Sequence, residues 1–225
     1  MPCGLSEIEF AAHPSSSLSH QLRMGHGDNL VVGLTGGMGC GKSTAAALFA
    51  EFGYHRLDAD QVVREVLLRE TDVIAAVRER FGAGVLDVSG EVDRARLGEI
   101  VFADDAGLAW LENLLHPRLL AHWREEWAAV RNERFIVEVP LLFEKQLENW
   151  FDFTICVTTD SALQLRRLEQ RGVPHGIARQ RLAKQLSLAR KCELADFVLL
   201  NDGNLQFLRE QVSELAQRLP LIQPA

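Results

Sequence analysis

A chain of 225 residues with 47% hydrophobic and 24% charged residues has room for one large domain, or one carrying a sizeable insertion, and enough apolar side chains for a real core. That balance excludes collagen-like, disordered and disulfide-scaffold classes. A net charge of −7 argues against a general nucleic-acid binder, and the longest apolar stretches, Ala45 to Ala50 and Val139 to Phe143, fall far short of the ~20 residues of a membrane span.

Residues 1–28 show no sustained helical or strand period and lack the charged start and apolar run of a secretion signal. Ser15, Ser16 and Ser17 after a His-Pro pair read as a disordered leader, and since nothing upstream of Met24 shows core-forming periodicity, residues 1–23 are expected to be dispensable. His13, His20 and His26 do not fall on one helical face, so no zinc is expected there. The four cysteines, Cys3, Cys40, Cys156 and Cys192, form no C-x-x-C pair, which fits a reducing, cytoplasmic compartment.

Order is predicted from Asn29. Leu30 to Leu34 is a short apolar run of the kind buried on both faces of a parallel sheet, and a helix follows from Lys42 until Gly53 stops it. Tyr54 to Leu57 gives a second strand, ending at Asp58-Ala59-Asp60. From there to Asn132 the pattern is helical, with a loop at Gly82 to Glu91. Leu111, Leu115, Leu119, Trp123 and Trp127 recur every four residues as a core ridge, and Pro117 predicts a kink or a break after His116. Strands return at Arg134 to Val139, at Phe153 to Thr158 with Cys156 as a buried, inert thiol, and at Phe197 to Leu200. Helices are expected at Ser161 to Arg171, Ile177 to Ala189 and Leu205 to Leu219. Five strands alternating with helices imply an α/β fold with a parallel sheet, and the helical stretch after the second strand is an insertion.

Gly36-Gly37-Met38-Gly39-Cys40-Gly41-Lys42-Ser43 fits G-x-x-x-x-G-K-[ST] between a buried strand and a helix. Glycines let successive N–H groups turn inward onto phosphate oxygens, Lys42 brings a full charge to the outer phosphates, and Ser43 brings a hydroxyl for Mg²⁺. Cys40 occupies a free position of the motif and has no catalytic role. Asp58 and Asp60 follow the second strand, where ligands of parallel sheets bind; Asp58 reads as the helix cap and Asp60 as the functional acid. Arg64 lies one turn on, in reach of Asp60 or of substrate phosphate. Between Ala162 and Lys191 stand eight basic residues, Arg166, Arg167, Arg171, Arg179, Arg181, Lys184, Arg190 and Lys191, against the single acid Glu169, which suits a second anion-handling segment.

The phosphate loop combined with Asp58-Ala59-Asp60, Arg64, Phe81-Gly82, Asp93-Arg94, His116-Pro117, Val139 to Glu144, Gln164 with Arg167, Ala195-Asp196 and Asn201 resembles the dephospho-CoA kinase family, in register over roughly Leu30 to Leu219. The resemblance implies ATP-dependent phosphorylation of the ribose 3′-hydroxyl of dephospho-CoA, giving coenzyme A and ADP, with Mg²⁺. It implies a three-layer P-loop kinase fold: a nucleotide-binding core over 29–60 and 133–219, a helical CoA-side insertion over 61–132, a lid over about 166–185 and a tail over 220–225. Carried over residue by residue, Asp60 orients or deprotonates the hydroxyl, Arg167 meets the transferring phosphoryl group, and Gly37, Met38, Gly39, Cys40, Gly41, Lys42, Ser43, Thr44 and Asn201 hold ATP. The expected partners are these two substrates, with no nucleic acid and no membrane, in a cytoplasmic monomer or weak homo-oligomer. Glu138 sits where many phosphate-loop proteins place a metal-side acid, a position at which the family varies. Another small-metabolite or nucleoside monophosphate kinase would share loop, lid and sheet, whereas a GTPase would need an Asn-Lys-x-Asp segment that the chain lacks.

Overall fold

The computed structural model describes residues 26–221. The expectations for residues 1–25, including Met24 and the histidines at 13 and 20, and for 222–225 lie outside the described residues. The chain divides into two compact units, one formed by residues up to Arg56 and from Asn132 onward, the other by Leu57–Arg131.

In the first unit, β1 (Leu30–Gly36), β2 (His55–Asp58), β3 (Arg134–Glu138), β4 (Phe153–Thr158) and β5 (Phe197–Leu200) form a five-stranded sheet in the order β2-β3-β1-β4-β5. β2 is one of the two edge strands, and its chain passes into the second unit after Arg56. β1 is central, parallel to β3 with Leu34 opposite Glu138 and to β4 with Leu34 opposite Ile155. It is buried from Val31 to Gly36, as an apolar run covered on both faces must be, and extends two residues beyond the predicted strand.

Side-chain alternation sorts β4 between two layers. Phe153, Ile155 and Val157 join a core with Val32, Leu34, Ile136 and Leu199, covered by Ala45, Leu48 and Phe49 of α1 (Lys42–Glu51) and by Leu208, Val212 and Leu215 of α9 (Leu205–Arg218). Cys156 points to the opposite face, where Cys192 of α8 (Leu188–Leu194) approaches it. The result is a three-layer α/β arrangement.

Between β4 and β5 the chain forms α6 (Ser161–Gln170), α7 (His175–Ala183) and α8. The single helix predicted over Ile177 to Ala189 is therefore two. Lys184 ends α7, and Ser187 starts α8 by accepting a hydrogen bond from Arg190 N on its own hydroxyl, a competition between side chain and backbone that favours a new N-terminus.

The second unit holds α2 (Ala59–Glu65), α3 (Thr71–Phe81), α4 (Arg94–Ala103) and α5 (Asp105–Ala128), with one isolated antiparallel bridge, Leu86 to Val92. Of the two outcomes expected at Pro117, a kink or a break after His116, the break does not occur: α5 runs through Pro117 for 24 residues. Proline removes one N–H from the ladder and crowds the preceding turn. Arg118, the next residue, donates Nη1 to the Leu114 carbonyl at 2.9 Å, and its guanidinium is anchored by Asp72 at 2.6 Å and Glu70 at 3.4 Å. A side chain thus serves a carbonyl in the turn that the proline disturbs.

The predicted ridge is core. Trp123 and Trp127 are buried and stack with ring centroids 6.0 Å apart, above buried Leu119 and Leu115, while Leu111 is only half-buried. Trp123→Ala, measured by denaturant unfolding, is expected to cost about 3–5 kcal/mol through lost burial and the cavity left behind. Leu111→Ala costs clearly less; equal losses would mean that the ridge is not the core of α5.

Candidate active site

The end of β1 opens directly into the glycine loop. Gly36 takes φ 143°, and a Cβ there would run into the Val157 carbonyl of β4. Gly41 takes φ 94° as the residue before α1, and a Cβ there would strike the Asn201 side-chain amide. Both positions demand glycine, the first for close approach and the second for a left-handed turn against a neighbour. No side chain caps α1 and no acid stands in its first turn, so the positive end of the helix is uncompensated by its own sequence.

Two amides fix the loop from outside. Gln164 of α6 donates Nε2 to the Met38 carbonyl at 2.7 Å, and Asn201, just past β5, donates Nδ2 to the Cys40 carbonyl at 2.8 Å. With those two carbonyls occupied, the loop keeps a single shape. Lys42 Nζ donates to the carbonyls of Gly36 at 3.2 Å and Gly37 at 3.1 Å, which holds the ammonium over the loop. Cys40 is buried beneath it; burial pushes its thiol up, and the nearby Lys42 only partly offsets this, so the group is a packing thiol.

Ser43 donates its hydroxyl to Glu138 Oε2 at 2.8 Å. The other oxygen of Glu138 takes Arg56, from Nε at 2.8 Å and Nη2 at 2.7 Å. Only 4% of the Glu138 side chain is exposed, so this is a buried carboxylate whose charge is matched by a guanidinium and whose second oxygen faces the phosphate-loop serine. Sequence reasoning noted Glu138 but missed Arg56, because nothing in the alternation of β2 distinguishes a surface arginine from one turned onto a neighbouring strand. The pair of oxygens from Ser43 and Glu138 is a hard-donor set that fits Mg²⁺.

Arg167 lies at the same end of the sheet. Its Nη2 donates to the Asn201 backbone carbonyl at 2.9 Å and its Nη1 reaches Thr159 Oγ1 at 3.5 Å, while Thr159 itself donates to Asn201 O at 3.1 Å. Lys42, Ser43, Thr44, Arg167 and Asn201 therefore belong to one unit with Gly37, Met38, Gly39, Cys40 and Gly41. Asp60 belongs to the other, in the first turn of α2. Asp58 caps that helix by accepting from Gln61 N at 3.1 Å, as expected of it.

Behind the loop, Pro140 O accepts from Thr35 Oγ1 at 3.3 Å and from Lys191 Nζ at 2.8 Å. Lys191 is fully buried and pairs with Glu144 at 2.9 Å. The segment Val139 to Glu144 is thus pinned between β1 and α8.

A family model described as Dephospho-CoA kinase matches residues 30–206. The dephospho-CoA kinase of Thermosynechococcus vestitus is 40% identical over 187 residues, covering 82% of this chain and 92% of its own. A crystal structure from Thermus thermophilus superposes with a TM-score of 0.73 at 30% identity, over 85% of this chain and 98% of that one. The dephospho-CoA kinase from Campylobacter jejuni gives 0.65 at 26% identity, over 86% and 98%. With the glycine loop, its lysine and serine, and a parallel sheet ordered around β1, the chain belongs to the dephospho-CoA kinase family.

Proposed function

We propose that this protein transfers the γ-phosphoryl group of ATP to the ribose 3′-hydroxyl of dephospho-CoA, giving coenzyme A and ADP, with the phosphate loop holding the nucleotide and Asp60 handling the hydroxyl. The observation that carries the reading is a family match that runs through the whole loop, on a chain whose loop geometry is built to receive phosphate.

The loop N–H groups and the start of α1 receive the phosphate oxygens, and Lys42 turns from the Gly36 and Gly37 carbonyls to the outer phosphates. Arg167, held by Asn201 and Thr159, keeps further N–H donors for charge on the transferring group. Being anchored already, it needs little reorganisation at the moment of transfer. Asp60 accepts the hydroxyl proton or orients the oxygen in line with the phosphorus. Ser43 and Glu138 would hold Mg²⁺, which when bound neutralises charge on the β- and γ-phosphate oxygens. The segment of about 166–185 serves as the lid, the helices of 61–132 as the CoA side, and residues 29–60 and 133–219 as the nucleotide-binding core. No helix among the described residues is long and apolar enough to cross a membrane, and the proposed setting is the cytoplasm, as a monomer or weak homo-oligomer without nucleic-acid partners.

The test is a coupled ADP-release assay with ATP and dephospho-CoA, with AMP and gluconate as control acceptors. Phosphorylation of either control in preference to dephospho-CoA refutes the reading. Lys42→Ala should lower the rate by on the order of 10²–10³ with little change in thermal unfolding, since its ammonium is held at the loop by the Gly36 and Gly37 carbonyls and lies outside the apolar core cluster.

Asp60→Asn keeps the size of the side chain but gives up the negative charge and the proton acceptor. Turnover at saturating substrates should fall steeply, whereas Asp58→Asn, which preserves a capping side chain, should leave it nearly intact. A costlier loss at Asp58 would exchange the two roles.

Glu138→Gln leaves Ser43 a hydrogen-bond acceptor but removes the charge that Arg56 matches. The Mg²⁺ concentration for half-maximal rate should rise roughly 10–100-fold. An unchanged Mg²⁺ requirement with lowered thermal stability would reduce Glu138 to a structural partner of Arg56.

A further inference from the structure

We propose that Cys156 and Cys192 form a reversible dithiol site, which a hydroperoxide converts to a disulfide with Cys192 as the thiol that reacts first. The two residues stand 36 positions apart and carry no sequence signature of a redox pair. The fold brings them together: Cys156 faces away from the α1 and α9 core, α8 packs against β4 on that side, and the two sulfurs lie 3.7 Å apart. A disulfide needs about 2.0 Å, so closure has to shorten the sulfur–sulfur separation by less than about 2 Å.

The two environments differ in the way a reactive pair requires. Cys156 is fully buried, and Cys192 is partly exposed at the surface of α8. The close approach of the Cys156 sulfur holds the Cys192 thiol below its ordinary range, and a hydrogen bond with Thr158 acts in the same direction against burial and the neighbouring Glu193. The same sulfur–sulfur approach, together with burial, keeps the proton on Cys156, with Lys191 only partly opposing. The accessible sulfur is therefore the better nucleophile, and the buried one is placed to resolve it.

The chemistry balances with hydrogen peroxide as the oxidant. The Cys192 thiolate attacks one peroxide oxygen, the O–O bond breaks, and the departing hydroxide takes up the proton that Cys192 released, giving sulfenic acid and one water. The Cys156 sulfur then attacks the sulfenic sulfur; the S–O bond breaks, and the oxygen leaves with the Cys156 proton as a second water. Each sulfur loses one electron and the peroxide gains two. The bond would fasten α8 to β4 one residue from Lys191, which holds Pro140 and Glu144.

The experiment uses the full chain, reduced, desalted, exposed to hydrogen peroxide and digested without reductant. Peptides carrying Cys156 and Cys192 should appear joined, with both thiols recovered by dithiothreitol and Cys40 unmodified. Cys192 found as sulfinic or sulfonic acid beside an intact Cys156 thiol would overturn the proposal, as would a disulfide joining either residue to Cys40. In Cys192→Ser, Cys156 should stay reduced at the same peroxide dose; oxidation at the rate seen in the unsubstituted chain would refute the order of reaction. In Cys156→Ser, Cys192 should accumulate as a sulfenic acid that a dimedone probe traps, and absence of trapping would equally refute it. These readouts are masses, so they stand or fall apart from the kinase assay.

Discussion

Burying the Glu138 carboxylate at the end of β3 obliges the fold to supply partners for a charge that is almost wholly out of water. It supplies Arg56 from edge strand β2 and Ser43 from the first turn of α1, so three segments separated by up to 95 positions are registered on one side chain. The parallel pairing of β1 with β3 sets Leu34 opposite Glu138, and Val139 N donates to Leu34 O at 2.9 Å, which fixes the height of the carboxylate relative to the start of the glycine loop. A one-residue slip of β3 would turn Glu138 to the other face of the sheet and leave both partners behind. The position of the serine hydroxyl is thus a consequence of strand register.

The loop itself shows how backbone carbonyls are managed where N–H groups must stay available. A tight glycine turn has acceptors as well as donors, and acceptors pointing at a phosphate would repel it. Here the Met38 and Cys40 carbonyls are taken by Gln164 and Asn201, and those of Gly36 and Gly37 are held by Lys42 as long as no phosphate draws the ammonium away. Each of these donors removes a partial negative charge from circulation and stiffens the loop at once. The first two donors come from α6 and the end of β5, so the loop's shape depends on the far half of the sheet.

Much of this was legible in the sequence, and for identifiable reasons. Strands buried on both faces leave continuous apolar runs, so β3 and β4 fall where the pattern placed them to within a residue, and β5, apolar though only partly buried, also falls at its predicted Phe197 to Leu200. The glycine loop is legible because its chemistry requires fixed residue types at fixed spacing. What failed to show was long-range and polar. Arg56 reads as an ordinary strand arginine until Glu138 is set beside it, and Cys156 and Cys192 become a pair only because α8 lies on the face of β4 that the apolar core leaves to Cys156. Pro117 left a kink or a break open, and the break is absent: Arg118 answers a carbonyl of its own helix in the disturbed turn and is itself anchored by Asp72 and Glu70.

The basic run between α6 and α8 makes the same point in electrostatic terms. By count it is one patch, yet the fold gives its members different work. Lys191 is fully buried and neutralises Glu144; Arg190 pairs on the surface with Glu193 at 2.8 Å; Arg167 is fixed to Asn201 and Thr159. Arg166, Arg171, Arg179 and Lys184 remain exposed. An exposed cation in salt is screened within about a Debye length of 8–10 Å and steers anions rather than binding them tightly. A guanidinium already held at the sheet end, with donors to spare, acts at hydrogen-bond range where the dielectric is lower. Among the described side chains, the charge excess of the segment therefore divides into a structural lysine, one arginine anchored at the sheet end and a field of exposed cations.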